Sequence, residues 1–250
     1  MGQIRVLTLN AAHGRSDGPN QLLLRRSTLR QNLDTVAALL ERSGPDVVAL
    51  QEADGPSRWS GGFDHVGAVA ERAGFPFRFR GDHAEGWLFR YGTALLSRLP
   101  LTGTASHRFE PTPPTPTKGF VVGELAWPGR DGPGIAVDVV SVHFDYLSAA
   151  AREQQFQQLA GELEQRGRPS IVLGDFNAGW AEADSPVRRL ADRAGLQGYE
   201  TAGTALATFG ARRIDWILIS REFRFASYEV LPDVVSDHLA VLADIRLAAD

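Results

Sequence analysis

The stretch Ser170-Ile171-Val172-Leu173-Gly174-Asp175-Phe176-Asn177 combines the two features that decide the fold. Its first half is a short apolar run that predicts a buried strand, and its second half places an acid and an amide where the apolar character stops. Similar runs predict further strands at Ile4–Leu9, Val47–Gln51, Thr93–Ser97, Val121–Ala126, Ile135–His143, Trp216–Ser220 and Ala240–Arg246. Helical patterns lie between them, at Leu22–Ser43, Phe63–Ala73, Ala149–Arg166 and Ser185–Ala194. The alternation of strands and helices predicts an α/β fold.

Two segments favour mixed sheets over all-parallel ones. Thr93–Leu101 and Val121–Val142 are typical of hairpin partners, and the second contains a turn sequence rich in Gly and Pro at residues 128–134. The proline-rich segment Glu110–Gly119 cannot continue a strand ladder, so we expect a loop there. A linker between domains would have the same composition. Because strands resume on both sides, we expect a surface loop instead, with residues 1–250 forming a single domain.

The composition limits the kinds of site that the chain can build. Of its 250 residues 43% are hydrophobic and 22% charged, and none is cysteine. Disulfides, thiolate nucleophiles and thiolate-bound zinc are therefore excluded, and any metal must sit on oxygen or imidazole ligands. No signal peptide is visible, and no apolar stretch reaches the length of a membrane span. We therefore expect a cytoplasmic protein. We also expect it to be a monomer.

Ionisable and amide side chains collect at the ends of the predicted strands. They are Asn10, Glu52, His143, Asp145, Asp175, Asn177, Asp215, Asp237 and His238. Any one of them taken alone is more often a turn former, a helix cap or a paired core charge. Repeated at strand ends, each costs stability unless it is satisfied, and converging carboxylates repel one another. A hard divalent cation relieves that repulsion, so the pattern predicts a metal-assisted site.

The motifs that the chain lacks narrow the reaction. There is no Gly-x-Ser-x-Gly elbow for a covalent nucleophile, no glycine-rich phosphate loop after the first strand, and no His-Glu-x-x-His zinc motif. The remaining groups are a hard metal, histidines that can hydrogen-bond an oxyanion, and a carboxylate that can position water. Together they are suited to the hydrolysis of a phosphate ester.

The order of these residues along the chain resembles the endonuclease/exonuclease/phosphatase superfamily, to which DNase I belongs. The resemblance is carried by Leu9-Asn10, Leu50-Gln51-Glu52, Val142-His143-Phe144-Asp145, Gly174-Asp175-Phe176-Asn177, Arg213-Ile214-Asp215 and Ser236-Asp237-His238. It implies a four-layer α/β/β/α sandwich of two packed mixed sheets flanked by helices, an architecture that can be classed as α/β or α+β. It also implies that the site lies where the strand ends of the two sheets meet.

The resemblance further implies a role for each site residue. Glu52, Asn10 and Asp237 would be ligands of Mg²⁺, with Mn²⁺ as a possible substitute. Asp175 would orient or deprotonate the attacking water, and Asn177 would hold that water or a phosphate oxygen. His143 and His238 would donate to the non-bridging oxygens, and Asp215 would keep His238 in its useful tautomer.

The expected substrate contacts are Arg58, Trp59, Tyr91, Lys118 and Asp145, although Asp145 could equally cap the helix that begins near Ala149. The stretch from Arg58 to His65 resembles a bacterial branch with phosphodiesterase-like and sphingomyelinase-like members. Three positions, Arg90, Thr93 and Lys118, depart from the family pattern, which commonly has an acid, Asn and Arg there. Lys118 is the only lysine of the chain. These departures affect the substrate assignment and leave the metal and water machinery intact.

Two enzymatic readings follow. The first is a phosphodiesterase or phosphatase that acts on a small or lipid phosphoester. The alternative is a Mg²⁺-dependent nuclease acting on DNA or RNA. The net charge of −4 weighs against the nuclease, because affinity for nucleic acid depends on many Lys and Arg contacts to phosphates. A binding module with a dead site is disfavoured, since every expected member of the site is present.

Overall fold

The computed structural model describes residues 2–127, 134–182, 184–200 and 206–248. Its strands are β1 Gln3–Asn10, β2 Val47–Asp54, β3 Phe77–Glu85, β4 Arg90–Ser97, β5 Thr102–Arg108, β6 Gly119–Ala126, β7 Ala136–His143, β8 Ser170–Asp175, β9 Leu196–Gly198, β10 Asp215–Ser220, β11 Phe223–Val230 and β12 Val241–Leu247. Its α-helices are α1 Arg26–Ser43, α2 His65–Arg72, α3 Ala149–Arg166 and α4 Pro186–Ala194.

The strands form two six-stranded mixed sheets, as the sequence predicted. The strand order is β11-β12-β1-β2-β4-β3 in the first sheet and β5-β6-β7-β8-β10-β9 in the second. Each sheet contains one parallel pair, β1 with β2 and β7 with β8, and the other neighbours are antiparallel. The carboxyl ends of these four parallel strands lie at the same end of the sandwich, which brings the predicted site residues to one edge.

Alternating side chains of the interior strands pack into two different apolar cores. In β1, Leu7 and Leu9 pack against α1 and α2, while Ile4 and Val6 face the second sheet. On the far side α3 and α4 cover the second sheet through a separate apolar cluster that includes Leu159. Helices, sheet, sheet and helices therefore form four layers, and the predicted sandwich is confirmed.

The structure differs from the predicted elements at the first long helix and in its strand count. Helix α1 begins at Arg26 rather than Leu22, because the Asn20 side chain caps a single 3₁₀ turn at Gln21–Leu23 and the chain is extended at Leu24. Strands β3, β5, β9 and β11 were not predicted from the sequence. All four lie at the edges of the two sheets.

The two predicted hairpins have different outcomes. Residues 93–97 belong to β4, whose hairpin partner is the preceding strand β3, and the chain then crosses to the second sheet before β5. The segment Val121–Val142 does form a hairpin, between β6 and β7. Its predicted turn covers residues 128–134, of which 128–133 lie outside the described residues. The proline-rich segment ending at Gly119 is the loop between the antiparallel neighbours β5 and β6, so it connects strands of one sheet.

Candidate active site

Strand register places three predicted site residues side by side in the second sheet. Asp175 at the end of β8 is paired with His143 of β7 on one side and with Asp215 of β10 on the other. Across the gap between the sheets, Nδ2 of Asn10 donates to Oδ2 of Asp175 at 3.0 Å. The same oxygen lies 3.4 Å from Nε2 of His143 and 3.9 Å from Nε2 of His238. The Asp175 carboxylate is thus the point on which the site converges.

Asp215 and His238 form a buried acid–imidazole pair. Oδ2 of Asp215 lies 2.9 Å from Nδ1 of His238. The Thr208 hydroxyl accepts a bond of 3.2 Å from the backbone N–H of Asp215, which fixes the start of β10. The Phe209 ring lies against the imidazole, with 4.7 Å between the ring centroids. Burial disfavours the charged imidazole, but the carboxylates of Asp215 and Asp175 outweigh it and raise the pKa of His238 to about 10.

The pKa values of Asp175 and His143 both differ from those of exposed groups of their kind. Burial, followed by repulsion from Asp215, raises the pKa of Asp175 to about 7, against the attraction of His238. Burial and then the charge of Lys118 hold the pKa of His143 well below its ordinary value, so this ring is neutral. The neutral His143 ring donates a hydrogen bond from one nitrogen and accepts one at the other, whereas the His238 imidazolium donates from both nitrogens.

Glu52, the principal predicted metal ligand, lies at a bulge in β2. The pairing with β4 shifts between Gln51 and Ala53, and Glu52 itself has φ 49°, a left-handed conformation that is strained for a residue with a side chain. The bulge aims the carboxylate at Nε2 of His13, 3.3 Å away, and at Nζ of Lys118, 3.8 Å away. Burial opposes ionisation, but His13 and Lys118 hold the pKa of Glu52 below its usual range.

The other two predicted metal ligands, Asn10 and Asp237, each already have a partner within the protein. The amide oxygen of Asn10 accepts from the backbone N–H of Ala12 at 3.0 Å, which leaves it one lone pair. The Asp237 carboxylate is bonded to the Arg15 guanidinium, so in this arrangement it is an ion-pair partner. The Ser236 hydroxyl donates to the backbone carbonyl of Asn10 at 2.6 Å and ties this segment to the end of β1.

A second group of side chains could also hold a metal ion. Asp175, Asp215 and His238 each bring one oxygen or nitrogen within 4.8 Å of the others. These side chains also form the hydrogen bonds described above, with Nδ1 of His238 bound to Asp215 and Oδ2 of Asp175 bound to Asn10.

Asp145 and Asn177 are used in local structure. Asp145 is fully buried and accepts from the backbone N–H groups of Leu147 and Ser148 at 2.8 and 2.7 Å. Its other oxygen accepts from the hydroxyls of the proline-rich loop, Thr112 and Thr115. Both carboxylate oxygens of Asp145 therefore already accept hydrogen bonds within the protein. This arrangement is the structural role that was the alternative to a substrate contact. The helix cap itself is Ser148, whose hydroxyl accepts from the N–H of Ala151.

Asn177 lies two residues after Asp175 and supports its carboxylate. Its backbone N–H donates to Oδ1 of Asp175 at 2.9 Å, and its side-chain amide donates to the Phe144 carbonyl at 3.0 Å. Its φ of 50° lies in the left-handed region, as for Glu52. The predicted role of Asn177 toward water or phosphate stays a prediction, and the geometry adds a role in fixing Asp175.

The predicted substrate contacts divide into an inner and an outer group. Lys118 is buried, with Nζ 3.3 Å from Nε2 of His143, and Tyr91 is buried nearby. Trp59 is half-buried and stacks on Tyr91 with 6.0 Å between the ring centroids. Arg58 is exposed and lies over the Trp87 ring at 5.5 Å, outside the cluster around Asp175. Lys118, Tyr91 and Trp59 therefore lie on the side of the site near His143, and Arg58 lies outside it.

Sequence reasoning missed His13, Arg15 and Asp54. His13 is buried, its Nδ1 lies 2.9 Å from Oδ1 of Asp54, and two carboxylates face its ring. Burial opposes the charged ring, but the carboxylates of Glu52 and Asp54 outweigh it and raise the pKa of His13. The available signal was the segment from Asn10 to Arg15, where two basic side chains follow a strand end that already carries a site residue.

Comparison with known proteins gives a matching family profile and similar folds. The Endonuclease/Exonuclease/phosphatase family profile matches residues 7–238. No functionally curated protein gives a sequence match to the chain. The crystal structure of an endonuclease/exonuclease/phosphatase from Beutenbergia cavernae superposes with a TM-score of 0.76 at 22% identity, covering 100% of this chain and 72% of that one.

Two neighbours with more specific names have similar folds. The human Nocturnin catalytic domain with a bound sulfate anion superposes with a TM-score of 0.75 at 18% identity, covering 98% of this chain and 95% of that one. A mannosyl-6-phosphatase from Bacteroides thetaiotaomicron gives 0.71 at 15% identity, covering 98% and 100%. At such identities the structures show the shared fold alone. With the profile match over most of the chain, the protein belongs to the endonuclease/exonuclease/phosphatase family, whose members hydrolyse phosphate esters.

Proposed function

We propose that this protein is a divalent-metal-dependent phosphodiesterase or phosphatase that acts on a small or lipid phosphoester, using a water molecule positioned by Asp175. The observation that carries the proposal is the convergence on one oxygen of Asp175, where Asn10 donates at 3.0 Å and the rings of His143 and His238 lie at 3.4 and 3.9 Å. A buried carboxylate whose pKa is raised toward neutrality is suited to accept a proton from water.

The residues around Glu52 fit a hard divalent cation. Its carboxylate is aimed by a strained bulge toward two cationic groups, as expected of an anion that needs positive charge close by. Together with the amide oxygen of Asn10 and the carboxylate of Asp237, it offers oxygen ligands of the type that Mg²⁺ and Mn²⁺ prefer. Asp237 would have to exchange its Arg15 partner for the metal. When bound, the metal supplies positive charge to the phosphoryl oxygens and helps to orient the ester.

The chain's own groups supply the other steps. Asp175 orients the attacking water and takes its proton as the water oxygen bonds to phosphorus and the ester P–O bond breaks; the leaving oxygen takes up a proton from solvent. Asn10 and the Asn177 N–H keep the Asp175 carboxylate in place. The His238 imidazolium donates to a phosphoryl oxygen as negative charge builds there. Lys118, beside Glu52 and His143, adds a point charge that attracts the phosphate.

The exposed apolar side chains favour a lipid among the candidate phosphoesters. Of the eight large hydrophobic side chains exposed in the described part of the chain, seven lie on segments at the catalytic end of the sandwich. We call this set the apolar rim: Leu22, Leu23, Trp87, Tyr146, Leu147, Phe209 and Val234. Exposed apolar groups at the end of the sandwich that carries the catalytic site, here called the mouth, are typical of surfaces that contact amphiphiles or membranes. No helix within the described ranges is long and apolar enough to cross a bilayer.

The proposal is tested with matched phosphoesters. Purified protein is assayed with Mg²⁺, with Mn²⁺ and with chelator on a bis-aryl phosphate, an aryl monophosphate, a choline phospholipid in vesicles and micelles, and an oligonucleotide. We expect metal-dependent turnover of a small or lipid ester that is lost in Asp175→Asn. Turnover confined to the oligonucleotide would establish the nuclease alternative. Turnover that persists in Asp175→Asn, or that does not need metal, would contradict the mechanism.

A further inference from the structure

His13 bridges two carboxylates of β2 in a geometry that the reaction described above does not use. Its Nδ1 lies 2.9 Å from Oδ1 of Asp54, which is buried, and its Nε2 lies 3.3 Å from Oε2 of Glu52. The residue is itself buried and adopts φ 55°, in the left-handed region. Gly14 follows at φ 73°, and a Cβ added there would lie 3.2 Å from the His65 ring. A strained backbone that holds one ring between two acids indicates a positioned functional group.

The Asp54 contact determines what the other ring nitrogen can do. When Nδ1–H donates to a carboxylate, the ring is oriented so that Nε2, once it has lost its proton, can bind a metal; metal-bound histidines are usually held by a carboxylate or carbonyl in this way. In the metal-free protein a proton on Nε2 bridges that atom to Oε2 of Glu52, and a divalent cation would take the place of this proton between the same two atoms. Neighbouring ligands on a cation with bonds of about 2.1 Å are about 3 Å apart, close to the observed separation of Nε2 from Oε2.

We propose that His13 is an imidazole ligand of the divalent cation held by Glu52, and that the site therefore prefers a first-row transition ion to Mg²⁺. The inference rests on the metal site of the proposed function. Imidazole nitrogen suits transition ions, whereas Mg²⁺ is best bound by oxygen alone. The pair Glu52 and His13 thus provides one hard oxygen and one nitrogen, and Asp54 orients the nitrogen.

The test is the spectrum of bound Mn²⁺, which does not depend on turnover. Electron spin-echo modulation from a directly bound ¹⁴N is expected in the wild-type complex, and it should change to the ¹⁵N pattern after labelling with ¹⁵N-histidine. His13→Gln should abolish the nitrogen signal and weaken Mn²⁺ binding, measured by calorimetry, by at least about tenfold. Mg²⁺ affinity should change less. Asp54→Asn should weaken Mn²⁺ binding while the nitrogen signal is retained.

Control variants separate this assignment from the alternatives. His65→Gln removes another buried ring, which bonds the Ser60 carbonyl at 2.9 Å, and should leave the spectrum unchanged. His13→Asn is a second variant in case the glutamine protein unfolds, and circular dichroism checks the fold of each. A nitrogen signal that survives both His13 variants, or that is lost in His238→Gln, overturns the assignment.

Two further results would distinguish this inference from the proposed function. Saturable Mn²⁺ binding without any nitrogen coupling overturns the role of His13 and leaves the phosphoesterase proposal standing. Failure of the wild-type protein to bind Mn²⁺ or Mg²⁺ overturns both.

Discussion

Asp215 and His238 are joined by a 2.9 Å contact between Oδ2 and Nδ1, which points the opposite nitrogen of the ring toward Asp175, 3.9 Å away. Two acids of neighbouring strands thus lie on either side of one imidazolium. Because β8 and β10 are in register at these two acids, the sheet itself sets their spacing. His238 lies just before β12 of the first sheet, whereas Asp215 begins β10 of the second, so the pair joins the two sheets.

Asp215→Asn should lower kcat by at least about a hundredfold, because the imidazolium loses the carboxylate that orients and charges it. The pKa of His238, raised to about 10 by its carboxylate neighbours, should fall. The loss of activity at alkaline pH should therefore begin at lower pH in the variant. The measurement is a pH–rate profile for the two proteins. The control is Asp244→Asn, the same acid-to-amide change in the ion pair with Arg5. It should keep the wild-type profile. Identical profiles for wild type and Asp215→Asn would refute the role.

The acid side of the profile should report Asp175. Its pKa is raised to about 7 by burial and by Asp215, and it must be ionised to accept a proton. Protonation on going below that pKa should therefore reduce kcat/KM. A bound cation would lower this pKa, so the acid limb should lie at or below neutrality and move with metal occupancy. Rates measured between pH 5 and 9 on a non-titrating diester provide the test. Activity that rises as the pH falls below 6 would contradict it.

The predicted and observed folds agree in the interior strands and differ at the edges. Strands such as β8 are buried on both faces, so their apolar runs mark them in sequence. The edge strand β5 is mostly exposed and contains His107 and Arg108 among small polar residues, so no apolar run marks it. Its pairing with β6 exists because the tertiary fold supplies a partner edge.

The candidate site shows the same division. Its acids could be predicted because buried ionisable groups at strand ends are costly without a function. Strand register, which places His143 and Asp215 beside Asp175, depends on long-range pairing that no local pattern contains. The bulge that aims Glu52 and the left-handed turn that places His13 are set by tertiary contacts in the same way.

Lys118→Met should discriminate between substrates by their charge. The buried ammonium lies 3.8 Å from Glu52 and is the point charge proposed to attract phosphate. A monoester dianion should lose about a hundredfold in kcat/KM and a diester monoanion about tenfold, since the attraction scales with substrate charge. Steady-state kinetics on the aryl monophosphate and the bis-aryl phosphate measures the ratio. Lys118→Arg keeps the charge and should restore the preference; equal losses on both esters would point to a structural role.

His83 should make the fold sensitive to acid. The ring is buried, and its Nε2 lies 3.0 Å from the Thr93 hydroxyl. Burial, and then the charges of Arg108 and Lys118, lower its pKa to about 3, whereas the unfolded chain protonates near its ordinary value. The unfolded state therefore binds more protons below that value, and stability falls as the pH decreases.

The expected loss from His83 is about 2 kcal/mol between pH 7.5 and pH 5, from the difference in proton affinity. Urea unfolding at the two pH values measures it in the wild type and in His83→Gln. The variant should show a fall that is smaller by about this amount, whatever its stability at pH 7.5. Equal falls in the two proteins would show that the ring is not held neutral.

The apolar rim should determine activity on lipid surfaces without affecting the chemistry. Leu23 and Leu147 are 76% and 60% exposed on loops at the catalytic end, and neither touches the cluster around Asp175. Burying a leucine in an apolar layer gains about 1.5–3 kcal/mol, so each Leu→Ser change should weaken binding to vesicles by at least about tenfold. The double variant should lose turnover of vesicle substrate and keep its kcat/KM on a soluble ester.

Ile135→Ser provides the matched control for the rim. Ile135 is 46% exposed but precedes β7, at the opposite end of the sandwich, so its substitution removes a similar apolar area far from the mouth. Vesicle co-sedimentation and vesicle turnover should both be unchanged in this variant. If the rim double variant also binds vesicles as the wild type does, the rim serves another purpose and the lipid arm of the proposed function fails. If it loses activity equally on the soluble ester, the two leucines support the catalytic loops, and the mouth has no separate docking surface.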